Sequence, residues 1–244
     1  MTNRSDVQGS YGSMPIPVSQ ACKAIADEVE ANPDRFIRLS YKARWIRCRE
    51  MVAELVGAEV DECALVSNTT HGISTVLWNI DWRKGDVIIK SAGCQNNCPG
   101  GVTELCSPAA NVTYDAIDKA VRYVADISPF ITLETVDIGP PYTLEGIFKS
   151  FEAVFHKVQS SPGYAALTER GERPKIVVVV DALSSNPGLL MPWERVVEFC
   201  KGHENVWSLV DAAHAVGQIV GINLSKTQPD FWISVGSVQL SACR

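Results

Sequence analysis

What this sequence of 244 residues lacks narrows it quickly. Its longest uninterrupted apolar run is Ile176 to Val180, far below the roughly 20 residues that span a bilayer. The first residues, Met1 to Asp6, are polar and carry no apolar signal core, so the expectation is a cytoplasmic protein without a membrane partner. No block of Lys or Arg accumulates. With 22 basic and 28 acidic residues the net charge is −6, which argues against a nucleic-acid surface. There is no Gly-rich loop ending in Gly-Lys-Ser/Thr and no Gly-x-Gly-x-x-Gly. A zinc site is also poorly supported: Cys94-x-x-x-Cys98 has no matching His/Cys pair at a suitable spacing, and no metal is expected. The eight Cys read best as reduced thiols.

What is present is an alternating pattern. Residues 15–31 carry Val18, Ala21, Ile25 and Val29 at amphipathic helical spacing, and 41–57 repeat the pattern from Trp45 to Val56 before Gly57 closes it. Short apolar runs follow as strands: Cys63–Val66, Val87–Ile89, Thr132–Val136, Ile176–Val180, Val206–Val210 and Phe231–Ser234. Helical periods lie between them, from Ile73 to Ile80, through Ala120, Val124 and Ile127, from Ile147 to Val158, and from Met191 to Gly202. The all-β-branched run Ile176–Val180 is apolar on both faces, as a buried parallel strand requires. The class is therefore α/β, a mainly parallel sheet with helices on both faces. Residues 1–40 read as an N-terminal arm and helix, and 41–244 as one large domain.

In such a sheet ligands sit outside the carboxyl ends of the strands, and three polar groups fall there. The first is Ser67-Asn-Thr-Thr-His-Gly72, between a strand and a helix. Its hydroxyls, backbone N–H groups and helix dipole suit a phosphate, and equally suit ordinary N-capping. The second is Asp211 with His214, at the end of Val206–Val210. A carboxylate so placed can hold a proton on a pyridine-type nitrogen; a capping Asp beside a solvated His explains it as well. The third is Asp181 with Ser184-Ser-Asn-Pro-Gly188, able to hydrogen-bond a phenolate oxygen or simply to form a turn.

The order of these groups, with the opening Gly9-Ser-Tyr-Gly-Ser-Met-Pro15 and Asn32-Pro-Asp-Arg-Phe-Ile-Arg38, resembles the aminotransferase class V branch of fold-type I pyridoxal-phosphate enzymes. The similarity is to cysteine-desulfurase-like, isopenicillin-N-epimerase-like and hercynylcysteine-sulfoxide-lyase-like proteins. It implies pyridoxal 5'-phosphate as cofactor. Thr69 and Thr70 would bind its phosphate, Asp211 its pyridine nitrogen, and His214 its phenolate oxygen with Ser185 or Asn186 beside it. Tyr114 would lie over the ring face, against an alternative as a core tyrosine at a helix start. The resemblance further implies a homodimer acting on an amino-acid-type small molecule, with C–S lyase or cysteine-desulfurase-like chemistry. None of the eight Cys is nominated as a desulfurase nucleophile.

Two segments depart from the family pattern. Ser91 to Val112 has neither helical nor strand period, and removing it would join Lys90 to Thr113-Tyr114; it reads as an aberrant insertion. Residues 235–244 read as an aberrant tail where the family places His-Lys, the lysine that links to the cofactor. Lys226, before the last strand, is no substitute. The sequence thus predicts a large domain truncated before its catalytic lysine, lacking the small C-terminal domain, with exposed apolar surface and no catalytic residue of its own. A non-catalytic binding domain with residual cofactor affinity is the competing expectation, and an unrelated α/β protein that merely caps its helices this way is a third.

Overall fold

A computed structural model describes residues 15–91, 113–185, 187–235 and 239–243. Five strands run parallel: β2 (Val87–Ser91), β3 (Thr132–Val136), β4 (Ile176–Asp181), β5 (Val206–Ala212) and β6 (Phe231–Val235). β1 (Cys63–Ala64) lies at one edge, and β7 (Gln239–Cys243) runs antiparallel between it and β6. The sheet order is β1-β7-β6-β5-β4-β2-β3.

Two apolar layers cover the sheet. On one face α4 (Thr69–Asn79) and α5 (Asp115–Ile127) pack Ile73, Leu77, Ile117, Val121 and Val124 against Ile88, Val177, Val179, Leu209 and Ile233. On the other, α3 (Tyr41–Val56), α6 (Leu144–Gln159) and α8 (Trp193–Lys201) cover Val87, Ile89, Ile176, Val178, Val180 and Val210. Alternate strand residues thus feed opposite cores, which is why Ile176–Val180 is apolar throughout. Gly57 closes α3 at φ 64°, and a Cβ there would meet Asn223 at 3.1 Å, so the left-handed cap and the close approach both require glycine.

Several expectations are corrected. The amphipathic pattern of 15–31 does form a helix, α1 (Ile16–Ala31), yet none of its residues is buried. It is followed by the single turn α2 (Pro33–Arg35) and a π-helical turn, Phe36–Ser40. Arg44 ties α1 to α3 through Glu28 at 2.7 Å. Ile16, Val18, Ile25, Leu39, Met51 and Leu55 stay exposed, because no described element lies over that face. The polar stretch 160–175 contains a further helix, α7 (Pro162–Glu169), started by Pro162 and capped by Ser161. Ser91, assigned by the sequence to the aberrant insertion, is instead the buried last residue of β2, paired with Val136. Residues 92–112 lie outside the described residues, and with them Cys94, Cys98 and Cys106. Within 235–244, residues 239–243 hydrogen-bond into the sheet as β7. No helix among the described residues is long and apolar enough to cross a membrane.

Aromatic packing anchors the layer of α6 and α8. Phe155, 1% exposed, meets Phe199 edge-on at 4.9 Å and His203 at 4.6 Å. Phe155→Ala should therefore cost about 3–5 kcal/mol, the range for emptying a well-packed aromatic site; urea unfolding of the two proteins measures it.

Candidate functional site

The chain passes from β2 outward to β3, then returns to the other side of β2 for β4. That reversal opens a crevice at the carboxyl ends of β2 and β4, where open α/β sheets place their ligands. The elements ending there are β2 at Ser91, β4 at Asp181 and β5 at Ala212, with the N-terminus of α4 nearby on the α4–α5 face.

At α4 the local chemistry is capping, with something left over. The Asn68 side chain accepts from the His71 amide at 2.7 Å, and Ser67 Oγ meets His71 Nδ1 at 2.7 Å. The cap therefore belongs to Asn68, and Thr69 and Thr70 occupy the first turn with N–H groups that helix geometry leaves without intrahelical partners. Thr69 is buried, and its Oγ1 has no hydrogen-bond partner. A buried hydroxyl without a partner is costly; at the positive end of a helix it is placed to meet an anion.

On the same sheet face, at the ends of β4 and β5, stand two carboxyls. Asp181 and Asp211 are register partners on adjacent parallel strands, each 3% exposed. Asp211 Oδ1 accepts from the Ala213 amide at 3.0 Å. Asp181 Oδ2 has no partner. Burial pushes Asp211 up to about 6, against the pull of the Ala213 N–H. Burial, then the charge of Asp211, raises Asp181 well above the usual carboxylate range, with Lys90 and Thr113 pulling it down. His214 is half-buried in the turn after β5, and burial lowers its pKa.

A second buried group lies at the end of β2. Lys90 is fully buried, with Nζ 2.5 Å from Asp118 on α5 and donating to Ser91 O at 3.0 Å. Arg122 holds the other Asp118 oxygen at 2.7 Å. Burial pushes the Asp118 carboxyl up, but its bonds to Arg122 and Lys90 win and hold it below the ordinary value. Thr113 donates to Ser91 O at 3.1 Å, bringing both ends of the 92–112 segment together beside the crevice.

The remaining sequence candidates fall as follows. Tyr114 is the residue before α5, partly buried against the α4–α5 core. Ser184 is consumed by its own turn, donating to Pro187 O and accepting from the Leu189 amide at 3.0 Å. Ser185 is exposed at the bend after β4, and Asn186 lies outside the described residues. Asp181 heads the third strand-end group of the sequence, but its pairing with Asp211 is not visible there, and Lys90 is not among the sequence candidates. Lys90 carries no such signal, reading as the edge of an apolar run. Among the described residues no group of three or more His, Cys, Asp or Glu is placed to hold a metal. Burial also raises the thiols of Cys63 and Cys200, the latter to about 12, leaving both unreactive.

In sequence, the chain is 32% identical over 225 residues to an L-cysteine desulfhydrase-like protein of Epichloe uncinata, covering 92% of this chain and 42% of that one. It is 29% identical to the hercynylcysteine sulfoxide lyase of Schizosaccharomyces pombe, covering 91% and 47%. In structure it superposes on the cystine C–S lyase C-DES with a TM-score of 0.68 at 20% identity, over 97% of this chain and 56% of that chain. These likenesses are consistent with the aminotransferase class V, fold-type I family, and the superpositions show its fold. A cysteine desulfurase of Thermococcus onnurineus NA1 gives the same TM-score, 0.68, at 18% identity over 97% and 52%. The chain thus spans under half the length of these curated relatives. No protein-family model matches it.

Two measurements test these electrostatics. Removing the Asp118 charge leaves the buried Lys90 ammonium with one carbonyl, so Asp118→Asn should destabilise the fold by about 3–5 kcal/mol, and Lys90→Met in the same protein should recover much of it in urea unfolding. The sign for Asp211 is opposite to that of an ordinary paired acid. Its folded pKa of about 6 exceeds the unfolded value, so its contribution is fully present below pH ~4 and is lost as pH rises through about 6. Two units correspond to about 3 kcal/mol. Stability measured between pH 4 and 7 should fall less steeply in Asp211→Asn than in the unsubstituted protein.

Proposed function

We propose that this chain is the cofactor-binding large domain of a pyridoxal-phosphate enzyme, and that the whole protein acts on a carbon–sulfur bond of an amino acid, in the manner of a C–S lyase or cysteine desulfurase. The observation that carries the reading is the presence, on the sheet face that α4 covers, of an unpartnered buried hydroxyl at the α4 N-terminus and a buried carboxyl at the end of β5. Those are the two complements of a phosphorylated pyridine: an anion site and a site for a protonated ring nitrogen. The residues therefore fit the cofactor. The names of the sequence relatives, a cysteine desulfhydrase-like protein and a hercynylcysteine sulfoxide lyase, support the sulfur chemistry.

In this reading Thr69 and Thr70 hold the phosphate with their hydroxyls and amides. Asp211 keeps the proton on the ring nitrogen, oriented by the Ala213 amide. His214 stands by the phenolate oxygen, with Ser185 or Asn186 beside it, and Tyr114 on the ring face. When bound, pyridoxal phosphate supplies an electron sink for charge developing at the amino acid's α carbon. The protein's part is to hold that proton in a dry pocket, where a carboxylate–pyridinium pair is worth more than in water.

Covalent attachment is a separate matter. No lysine occurs between Phe231 and Arg244. Lys226 lies in α9 (Leu224–Thr227), before β6, and so at the opposite end of that parallel strand from the crevice. Lys90 is at the correct end but is engaged by Asp118. We therefore propose that residues 1–244 bind the cofactor without a covalent link and do not turn over by themselves. Residues 41–244 are taken as the large domain and 1–40 as an arm, in a cytoplasmic homodimer.

Titration of the purified chain with pyridoxal 5'-phosphate, followed by absorbance and then by borohydride and peptide mapping, tests this. Saturable binding lost in Asp211→Asn, with no lysine adduct, is the expected result. An adduct fixed at Lys226 or Lys90 would refute the noncovalent reading, and no saturable binding would refute the cofactor site.

A further inference from the structure

We propose that Asp181 and Asp211 work as one unit holding a single proton, with the proton on Asp181 and the charge on Asp211, so that the crevice accepts a heteroaromatic ring bearing one cationic N–H. The claim rests on the cofactor reading only for the identity of that ring; the proton's position belongs to the protein alone.

The geometry sets the problem. Register partners on neighbouring parallel strands present their side chains to the same face, about 5 Å apart, and both carboxyls are buried. Two buried carboxylates at that spacing do not both stay ionised unless a cation lies between them. Among the described residues no cation bonds to either carboxyl. The Lys90 charge on β2 draws Asp181 down, but its ammonium is bound to Asp118 at 2.5 Å and to Ser91 O. Asp118 is shared with Arg122, and Asp115 pairs with Lys119 at the exposed side of α5. From α4 the only titratable group is His71, whose Nδ1 is occupied by Ser67. β6 contributes none between Phe231 and Val235, and His214 follows Asp211 on its own turn.

The two oxygens' surroundings then decide where the proton rests. A carboxylate is stabilised by donated hydrogen bonds: Asp211 has one from the Ala213 amide, and Thr113 and the backbone pull on Asp181, which leaves the second Asp181 oxygen as the point of difference. Asp181 Oδ2 is buried with no partner, a poor place for charge and a suitable one for an O–H. Burial raises both groups, and the charge of Asp211 adds to the rise at Asp181. Asp181 is thus a positioning residue: by holding the proton it leaves the pair's single charge on Asp211 for the ring nitrogen. A pocket with both groups ionised would instead favour a dication or two separate donors.

The test uses the full chain near neutral pH. Infrared spectra in water and deuterium oxide should show one buried carboxylic-acid C=O band that shifts on exchange. It should persist in Asp211→Asn and vanish in Asp181→Asn. Absence of the band in the unsubstituted protein, or its loss in Asp211→Asn with retention in Asp181→Asn, would overturn the proposal. Pyridoxal 5'-phosphate affinity gives the second arm. Asp181→Ala should weaken binding about tenfold, and Asp181→Asn, neutral and still a donor, should restore it to within about threefold. A tenfold loss in Asp181→Asn would mean that charge at 181 is needed, against the proposal. Should Asp181→Asn not fold, the bands of the unsubstituted protein and Asp211→Asn decide alone. If Asp211→Asn binds the cofactor as tightly as the unsubstituted protein, the cofactor reading fails while the infrared result still fixes the proton.

Discussion

Burying an ionisable group between a sheet and a helix layer costs several kcal/mol unless the protein supplies a counter-charge, a set of donors or a proton. At the carboxyl ends of β2, β4 and β5 this chain buries four such groups: Lys90, Asp118, Asp181 and Asp211. It resolves them in two different ways. Lys90 and Asp118 neutralise each other, with Arg122 reaching in from the exposed side, and so tie β2 to α5. Asp181 and Asp211 have no such partner, and their unmet demand is what the proposed cofactor site would meet. The apolar layers on both faces are the condition for this, since they keep water from satisfying the carboxyls.

Fold and site differ in how far they could be read from the residues. The α/β class follows from periodicity that is local: Ile117, Val121 and Val124 fall one turn apart, and Ile176–Val180 is apolar at every position. Elements without a strong period escaped. α7 is two turns long and owes its start to Ser161 and Pro162, and β7 borrows its conformation from two neighbouring strands. The apolar stripe of α1 was legible, but periodicity predicts a face and not what covers it.

At the site, the strand-end rule finds Asp211 and the helix-start rule finds Thr69 and Thr70, because each is a statement about one residue and its immediate neighbours. The pairing of Asp181 with Asp211 is a matter of register between segments thirty residues apart, and that of Lys90 with Asp118 joins a strand to the following helix across 92–112. Neither relation leaves a trace in one-dimensional spacing. Fold-type resemblance supplied the cofactor, while the proton inventory of the crevice needed the sheet.

The hydrogen bond from Thr113 to Ser91 carries an implication for how this architecture tolerates change. Ser91, the last residue of β2, and Thr113 lie within one hydrogen bond of each other, so the two ends of the intervening span are held together by the fold. Closure entropy grows only logarithmically, about 0.6 kcal/mol for each doubling of loop length. The junction is therefore a place where genetic material can be lengthened, shortened or exchanged at little thermodynamic penalty. Both ends of that junction lie at the carboxyl end of β2.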